Sequence, residues 1–286
     1  MKDSAIPWTH HTFNPWTGCQ KVSPGCRGCY AESWAKRYGM VQWGARAARH
    51  RTSEATWRQP LRWEAAIETR FITNKPGGLY HPGVAHDPVR VFFSLGDWLD
   101  PRVPSDWMAD YLDLIARGRR LTWLLLTKRP EMFRAVVFNA KRAAVRRKLE
   151  VAGQIEAWLD GIPFRNVAVG ISAEDKPRLD RRAPQALEIP ARWRWWSLEP
   201  LLEPVAVGSD AKEMTDWIVV GGESGSRPRP MPLEALPRLA ALCHCYRLPL
   251  YVKQDSGRLP NRQGRIPDHL WSIKQIPDWQ PQRHLR

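Results

Sequence analysis

No stretch of the chain approaches the roughly 20 uncharged apolar residues that a membrane-crossing helix requires. The opening MKDSAIPWTHH also lacks the charged-then-apolar pattern of a secretory leader. Both absences point to a cytoplasmic protein with no membrane partner. Cysteine is scarce, five in 286 residues. An odd number argues against the disulfide framework of a secreted domain and for a reducing compartment. Acidic residues are outnumbered 29 to 44 by lysine and arginine, leaving a formal net charge of +15. No internal repeat or low-complexity tract is present, and the length suits one large domain or two smaller ones.

Arginine and tryptophan are abundant instead. Basic residues cluster at Arg46, Arg49 and Arg51, at Arg117, Arg119 and Arg120, at Lys141, Arg142, Arg146, Arg147 and Lys148, and at Arg178, Arg181 and Arg182. Such an excess predicts affinity for polyanions, nucleic acid above all. Sixteen tryptophans add flat faces for stacking, and Trp43, Trp57 and Trp63 lie near the first basic cluster. The plainer reading makes these clusters solvated helix faces and most of the tryptophans core.

Three of the five cysteines crowd into GCQKVSPGCRGCYAES as Cys19, Cys26 and Cys29. A closed structural zinc site takes four protein ligands, whereas three thiolates leave one coordination position open. Gly18, Pro24, Gly25 and Gly28 permit the tight turns needed to wrap a compact inorganic body. Cys26 and Cys29 are spaced to share one face of a helix running to Tyr38, whose amide end favours an anionic group. Buried free thiols are the alternative.

Short apolar runs alternate with helical stretches, the signature of βα units and a largely parallel sheet. The runs are Pro7 to Phe13, Val89 to Leu95, Leu121 to Leu126, Asn166 to Ile171, Trp193 to Leu198, Trp217 to Val220 and Leu248 to Val252. Helices are expected at Glu54 to Arg70, Ser105 to Ala116, Pro130 to Trp158 with a break near Gly153, Pro177 to Leu187, and Pro232 to Tyr246. The expected fold is α/β, a complete or partial (β/α) barrel of about six or seven parallel strands filling residues 1–254. An insertion at about 40–88 includes the turn-rich NKPGGLYHPGVAHDP, expected over the barrel mouth, and 255–286 read as an extended tail.

In such barrels chemistry gathers where strands end. Ser94 and Asp97 follow the second run, Thr127 and Lys128 the third, Ser172 and Glu174 the fourth, Glu199 the fifth, Glu223 the sixth and Lys253 the seventh. Any one of them reads equally well as a helix cap.

The cysteine loop together with FFSLGDWLD, LLLTKRP, NVAVGIS, SLEPLL, WIVVGGESG and PLYVKQ resembles a bacteriophage-associated family with a three-cysteine motif, from about Trp8 to Gln254. That family is in turn similar to radical S-adenosylmethionine enzymes such as spore photoproduct lyase. The spacing here, C-x6-C-x2-C with Gly28 before Cys29, differs from their common C-x3-C-x2-C. The resemblance implies a [4Fe-4S] cluster on Cys19, Cys26 and Cys29 whose fourth iron binds S-adenosylmethionine, with a 5'-deoxyadenosyl radical as the reactive species and flavodoxin or ferredoxin as reductant. It further implies that Ser94, Asp97, Thr127, Lys128, Ser172 and Glu174 contact the cofactor: Asp97 its amino group, Glu174 the ribose, Ser172 or Lys128 the carboxylate. Glu199, Glu223 and Lys253 would orient the substrate. With the basic charge, the implied activity is modification or rearrangement of a base or base substituent in nucleic acid, DNA rather than RNA, of phage type in a host cytoplasm. A base acted on there would leave its stack.

Two other classes stand beside this. One is a nucleic-acid-binding protein with structural zinc on the three cysteines and a histidine such as His11; alternation lets only one of His10 and His11 approach the metal. The other is a hydrolase with a divalent ion on Asp97, Glu199 and Glu223. Cys243 and Cys245 lie two apart on a predicted helix, point in different directions and read as core thiols, with a hydrogen-atom donor as the lesser alternative.

Overall fold

The computed structural model describes residues 3–39, 43–73, 89–205, 207 and 214–279, with backbone only for 68–73. The mouth excursion expected at 74–88 lies outside these residues, as does the end of the tail from 280. In chain order the elements are β1 (His11–Thr12), β2 (Trp16–Thr17), α1 (Tyr30–Arg37), β3 (His50–Arg51), α2 (Glu54–Trp57), α3 (Gln59–Thr73) and β4 (Val89–Phe92). They continue with α4 (Ser105–Arg117), β5 (Leu121–Thr127), α5 (Phe133–Arg146), α6 (Ala152–Leu159), β6 (Val167–Ser172), α7 (Lys176–Leu187) and β7 (Trp193–Leu198). The last are β8 (Trp217–Gly221), α8 (Ala235–Cys245), β9 (Leu250–Gln254) and α9 (Asp268–Trp271).

Seven strands form one curled sheet in the order β1-β4-β5-β6-β7-β8-β9, every pair parallel. Among the described residues β9 does not pair back to β1, so the architecture is a partial (β/α) barrel. β5, β6 and β8 are nearly continuous apolar runs because both of their faces are covered. Alternate residues divide between the two faces of the sheet. Val91, Trp123, Leu125 and Val169 face the helices, with Met108, Tyr111, Leu112 and Ile115 of α4. Those α4 residues recur at the spacing of one helical face. Phe92, Leu124, Ala168, Trp195, Trp217, Val219 and Tyr251 point inward with Trp8 and Trp279.

The first strand is shorter than its apolar run. Pro7 has no amide to donate, and the chain turns there, with Thr9 N bonded to Ile6 O at 3.2 Å. Only His11 and Thr12 reach the sheet, opposite Val91 and Phe92. The break expected near Gly153 falls earlier. Lys148 takes a left-handed φ of 54°, and Leu149 N reaches back to Ala144 O at 2.9 Å, a helix stop made without glycine. Gly153 then lies inside α6. A two-stranded antiparallel pair, β2 with β3, was not expected.

The tail is not merely extended. It forms α9, and its Gln275 N bonds to Leu250 O at 3.0 Å. Trp279 is buried, and its carbonyl accepts from Thr122 Oγ1 at 3.1 Å. Its ring stacks on Trp193 at 5.7 Å. The tail therefore supplies the barrel floor, leaving the cavity to open at the carboxyl ends of the strands.

Gly170 of β6 lies directly under the Trp195 indole, which fills the space a Cβ would need. Both sides are fully packed, so Gly170→Ala is expected to destabilise the fold by about 1–3 kcal/mol through overpacking. A lower urea midpoint with an unchanged denaturant slope is the expected result.

Candidate metal centre at the barrel mouth

One cavity, about 1140 Å³ counted to its open mouth, sits at the carboxyl ends of the strands. Its walls include Cys19, Cys26 and Cys29 together with Ser94, Asp97, Thr127, Lys128, Ser172, Glu199, Glu223 and Lys253. Of the sequence-predicted site residues, Glu174 alone stands behind the wall, fully buried.

The cysteine loop has little regular structure of its own. Gly18 takes φ 102°, a left-handed value that starts the loop. Pro24 to Cys26 form one tight turn, and Cys29 occupies the N-cap of α1. The two thiols thus do not share a helix face, as the spacing predicts; α1 begins only at Tyr30, and Cys29 stands at its amide end. All three cysteines are free. Burial pushes the Cys19 thiol up to about 12 despite the neighbouring Arg129. Burial also raises Cys29, against the pull of the Glu32 and Ala31 amides and Lys128. Left to themselves these two stay protonated at neutral pH, and a metal or cluster would displace the protons on binding. Among the described residues no three His, Cys, Asp or Glu side chains close on a single ion.

Three carboxylates from different strand ends hold this loop, each with an arginine. At Cys19, Asp97 fixes Arg129 through Oδ2 to Nη1 at 2.8 Å. Arg129 Nη2 in turn donates to Cys19 Sγ at 3.4 Å and to Gln20 O at 2.8 Å. Asp97 also accepts from Leu99 N at 3.0 Å, Thr127 Oγ1 at 2.7 Å and Lys128 N at 2.9 Å, so both its oxygens are occupied by protein donors. Before Cys26, Gly25 N donates to Glu174 Oε1 at 3.2 Å, while Arg182 Nη1 grips Oε2 at 2.9 Å. Before Cys29, Gly28 packs on Glu223 so closely that a Cβ would strike the carboxylate. Arg229 holds Glu223 through its backbone amide at 2.9 Å and its guanidinium at 3.0 and 2.5 Å. The bracing roles of Arg129, Arg182 and Arg229 are not legible in the sequence, where Arg182 reads only as part of a basic cluster, because the loop these pairs support lies far along the chain from them.

Other groups shape the cavity. Asn14 Oδ1 accepts from Ser94 N at 2.9 Å and Leu95 N at 2.8 Å, fixing the turn after β4. Tyr30, half-exposed at the mouth, donates its hydroxyl to Ser94 O at 2.8 Å. Across from the thiols, Lys253 Nζ lies 3.0 Å from Glu199 Oε1, and Ser197 Oγ lies 3.3 Å from Oε2. Ser172 Oγ is buried on the wall without a hydrogen-bond partner among the described residues. A ligand in the cavity is its natural acceptor or donor.

Neither histidine joins the wall. His10 Nδ1 accepts from Arg90 N at 3.0 Å, and His11 stacks on Trp63 at 4.3 Å. Cys243 is buried and Cys245 exposed on α8, away from the cavity. Of the tryptophans near the first basic cluster, Trp57 and Trp63 are core and Trp43 lines the cavity. Many clustered arginines are neutralised: Arg49 by Asp100 at 2.7 Å, Arg147 by Asp110 at 2.6 Å and Arg146 by Asp106 at 2.5 Å. Among the described residues no helix is long and apolar enough to cross a membrane.

Glu174 gives this site a pH signature. Burial works against its ionisation, but Lys128 and Arg182 outweigh it and hold the carboxyl down at about 2, from an ordinary 4.5. A depressed folded value means stability present above the unfolded value and lost as pH falls through the folded one. Glu174→Gln, which strands Arg182, is expected to cost about 3–5 kcal/mol at neutral pH. The gap from wild type should narrow between pH 4.5 and about 2, as read by urea unfolding across that range; a constant gap would contradict the assignment.

The family model described as "Protein of unknown function (DUF5131)" matches residues 3–270, which take in the barrel, the cysteine loop and all three braces. No curated protein and no solved structure matches the chain. Over nearly its whole length, then, the chain belongs to the DUF5131 family.

Proposed function

We propose that this protein is a radical S-adenosylmethionine enzyme holding a [4Fe-4S] cluster on Cys19, Cys26 and Cys29, and that it modifies or rearranges a base or base substituent in nucleic acid, phage-type DNA rather than RNA. The observation that carries the reading is the convergence of three free, braced thiols on the cavity where six strands deliver polar side chains. When bound, the cluster and cofactor supply the electron and the hydrogen-abstracting chemistry. The chain supplies placement. Lys128 and the unpartnered Ser172 hydroxyl suit the cofactor's carboxylate, on the wall beside the thiols. Glu199, Lys253 and Ser197 present an acceptor and two donors for orienting a substrate. Asp97, Glu174 and Glu223 act through the loop, since their oxygens are engaged by protein groups. Tyr30 and Trp43 line the cavity with aromatic surface. The reductant is a one-electron donor of the flavodoxin or ferredoxin type.

Anaerobically reconstituted protein is expected to be brown, to contain iron and sulfide, and to cleave S-adenosylmethionine to 5'-deoxyadenosine with dithionite. Cys26→Ala should lose both the cluster and the cleavage while its circular dichroism stays that of wild type. Colourless protein with one tightly held zinc would reject the proposal.

For the nucleic-acid half, support comes from the charge of +15 and from Arg27, Arg227 and Arg258, exposed on the loops that carry Gly28, Glu223 and Gly257 at the mouth. Each exposed arginine that meets a phosphate adds about one to the slope of log affinity against log salt. Reversing all three to glutamate is expected to weaken binding of a DNA oligonucleotide and to lower that slope by roughly three. Fluorescence anisotropy across a salt series gives the answer, and an unchanged slope would remove these residues from the interface.

A further inference from the structure

The three cysteines are held differently, and the difference is chemical. Cys29 stands at the amide end of α1 without a side-chain cap hydrogen bond, and Cys26 Sγ lies 3.7 Å from Ser23 Oγ. Cys19 receives a guanidinium instead, with Arg129 Nη2 at 3.4 Å from its sulfur. Arg129 is 3% exposed and held by Asp97, by Gln20 O and through its own amide, which donates to Thr127 Oγ1 at 2.9 Å, while its buried Nε has no partner among the described residues. It cannot swing away to solvent.

Resting on the cluster site proposed above, we infer that Arg129 is a positioning residue that sets the reduction potential of the cluster through its N–H bond to Cys19 Sγ, and that Asp97 moderates its effect. Reduction adds one electron from a one-electron donor; no bond is broken and no proton is taken up. The added negative charge spreads onto the thiolate sulfurs. A fixed cation and an N–H donor at one sulfur stabilise the reduced form more than the oxidised form, which raises the potential. In a dry, buried setting that stabilisation is weakly screened. Asp97, 2.8 Å from the other edge of the guanidinium, cancels part of the positive charge. The two residues should therefore move the potential in opposite directions.

The experiment is a dithionite titration of reconstituted full-length protein followed by electron paramagnetic resonance, on wild type, Arg129→Met, Arg129→Lys and Asp97→Asn. Iron and sulfide are counted first in each. Arg129→Met is expected to make reduction at least tenfold less favourable, a shift of about 59 mV to more negative potential for one electron. Arg129→Lys should shift less in the same direction, because charge is kept while the paired donors are lost. Asp97→Asn should shift the opposite way. A merely structural role would lower iron content but leave the potential of the remaining cluster unmoved, and that result would overturn the inference, as would Asp97→Asn moving with Arg129→Met. Should Arg129→Met fail to fold, the opposed shifts of the other two variants decide it. Wild-type protein without iron and sulfide would instead overturn the cluster reading, and this inference with it.

Discussion

The candidate site depends on buried carboxylate–arginine pairing at the strand ends. Asp97 with Arg129, Glu174 with Arg182 and Glu223 with Arg229 are each largely or wholly removed from water. Such pairs contribute little net stability over an apolar filling, but losing one partner is strongly destabilising because the other charge is stranded. Their value here is geometric. A loop whose only regular turn spans Pro24 to Cys26 would otherwise sample many shapes, each residue fixed costing about 1–2 kcal/mol of backbone entropy. Anchored at Cys19, Gly25 and Gly28, it takes its shape from the barrel. The two glycines matter for the same reason, because Glu174 and Glu223 occupy the space their side chains would take.

Much of the architecture was legible in the sequence. VAVGIS and WIVVG read as strands buried on both faces because they are, and helices such as α4 show one apolar stripe. The polar residues predicted at strand ends all reach the cavity except Glu174. What periodicity cannot supply is partnership. It shows which face a residue occupies, yet Gly25 and Glu174 are 149 positions apart, and Cys19 and Arg129 110. Pattern also misjudged local punctuation: Pro7 cut the first strand short, and Lys148, a non-glycine in the left-handed region, ended α5 where glycine would have been the expected signal. The tail reads as extended from its composition, although its Trp279 is core.

Charge is organised rather than spread. Arg146 at the end of α5 and Arg147 just after it are tied to carboxylates of α4, Asp106 and Asp110, so part of the arginine content joins neighbouring helices around the barrel. Arg49, wholly buried against Asp100, serves packing alone. The net charge already counts such pairs as zero, but the arginine clusters do not, so clusters in sequence are a poor guide to patches in space.

The order in which the parts of the loop's support leave the ribosome has a consequence of its own. Cys19, Cys26 and Cys29 precede Arg129, Glu174 and Glu223 by long stretches of chain, and the floor residue Trp279 comes later still. A nascent chain thus exposes three thiols on a slack segment long before anything can hold them in register. The loop therefore takes its braced shape only once the strand ends that carry its anchors are in place, and anything that enters the cavity afterwards does so through the open mouth.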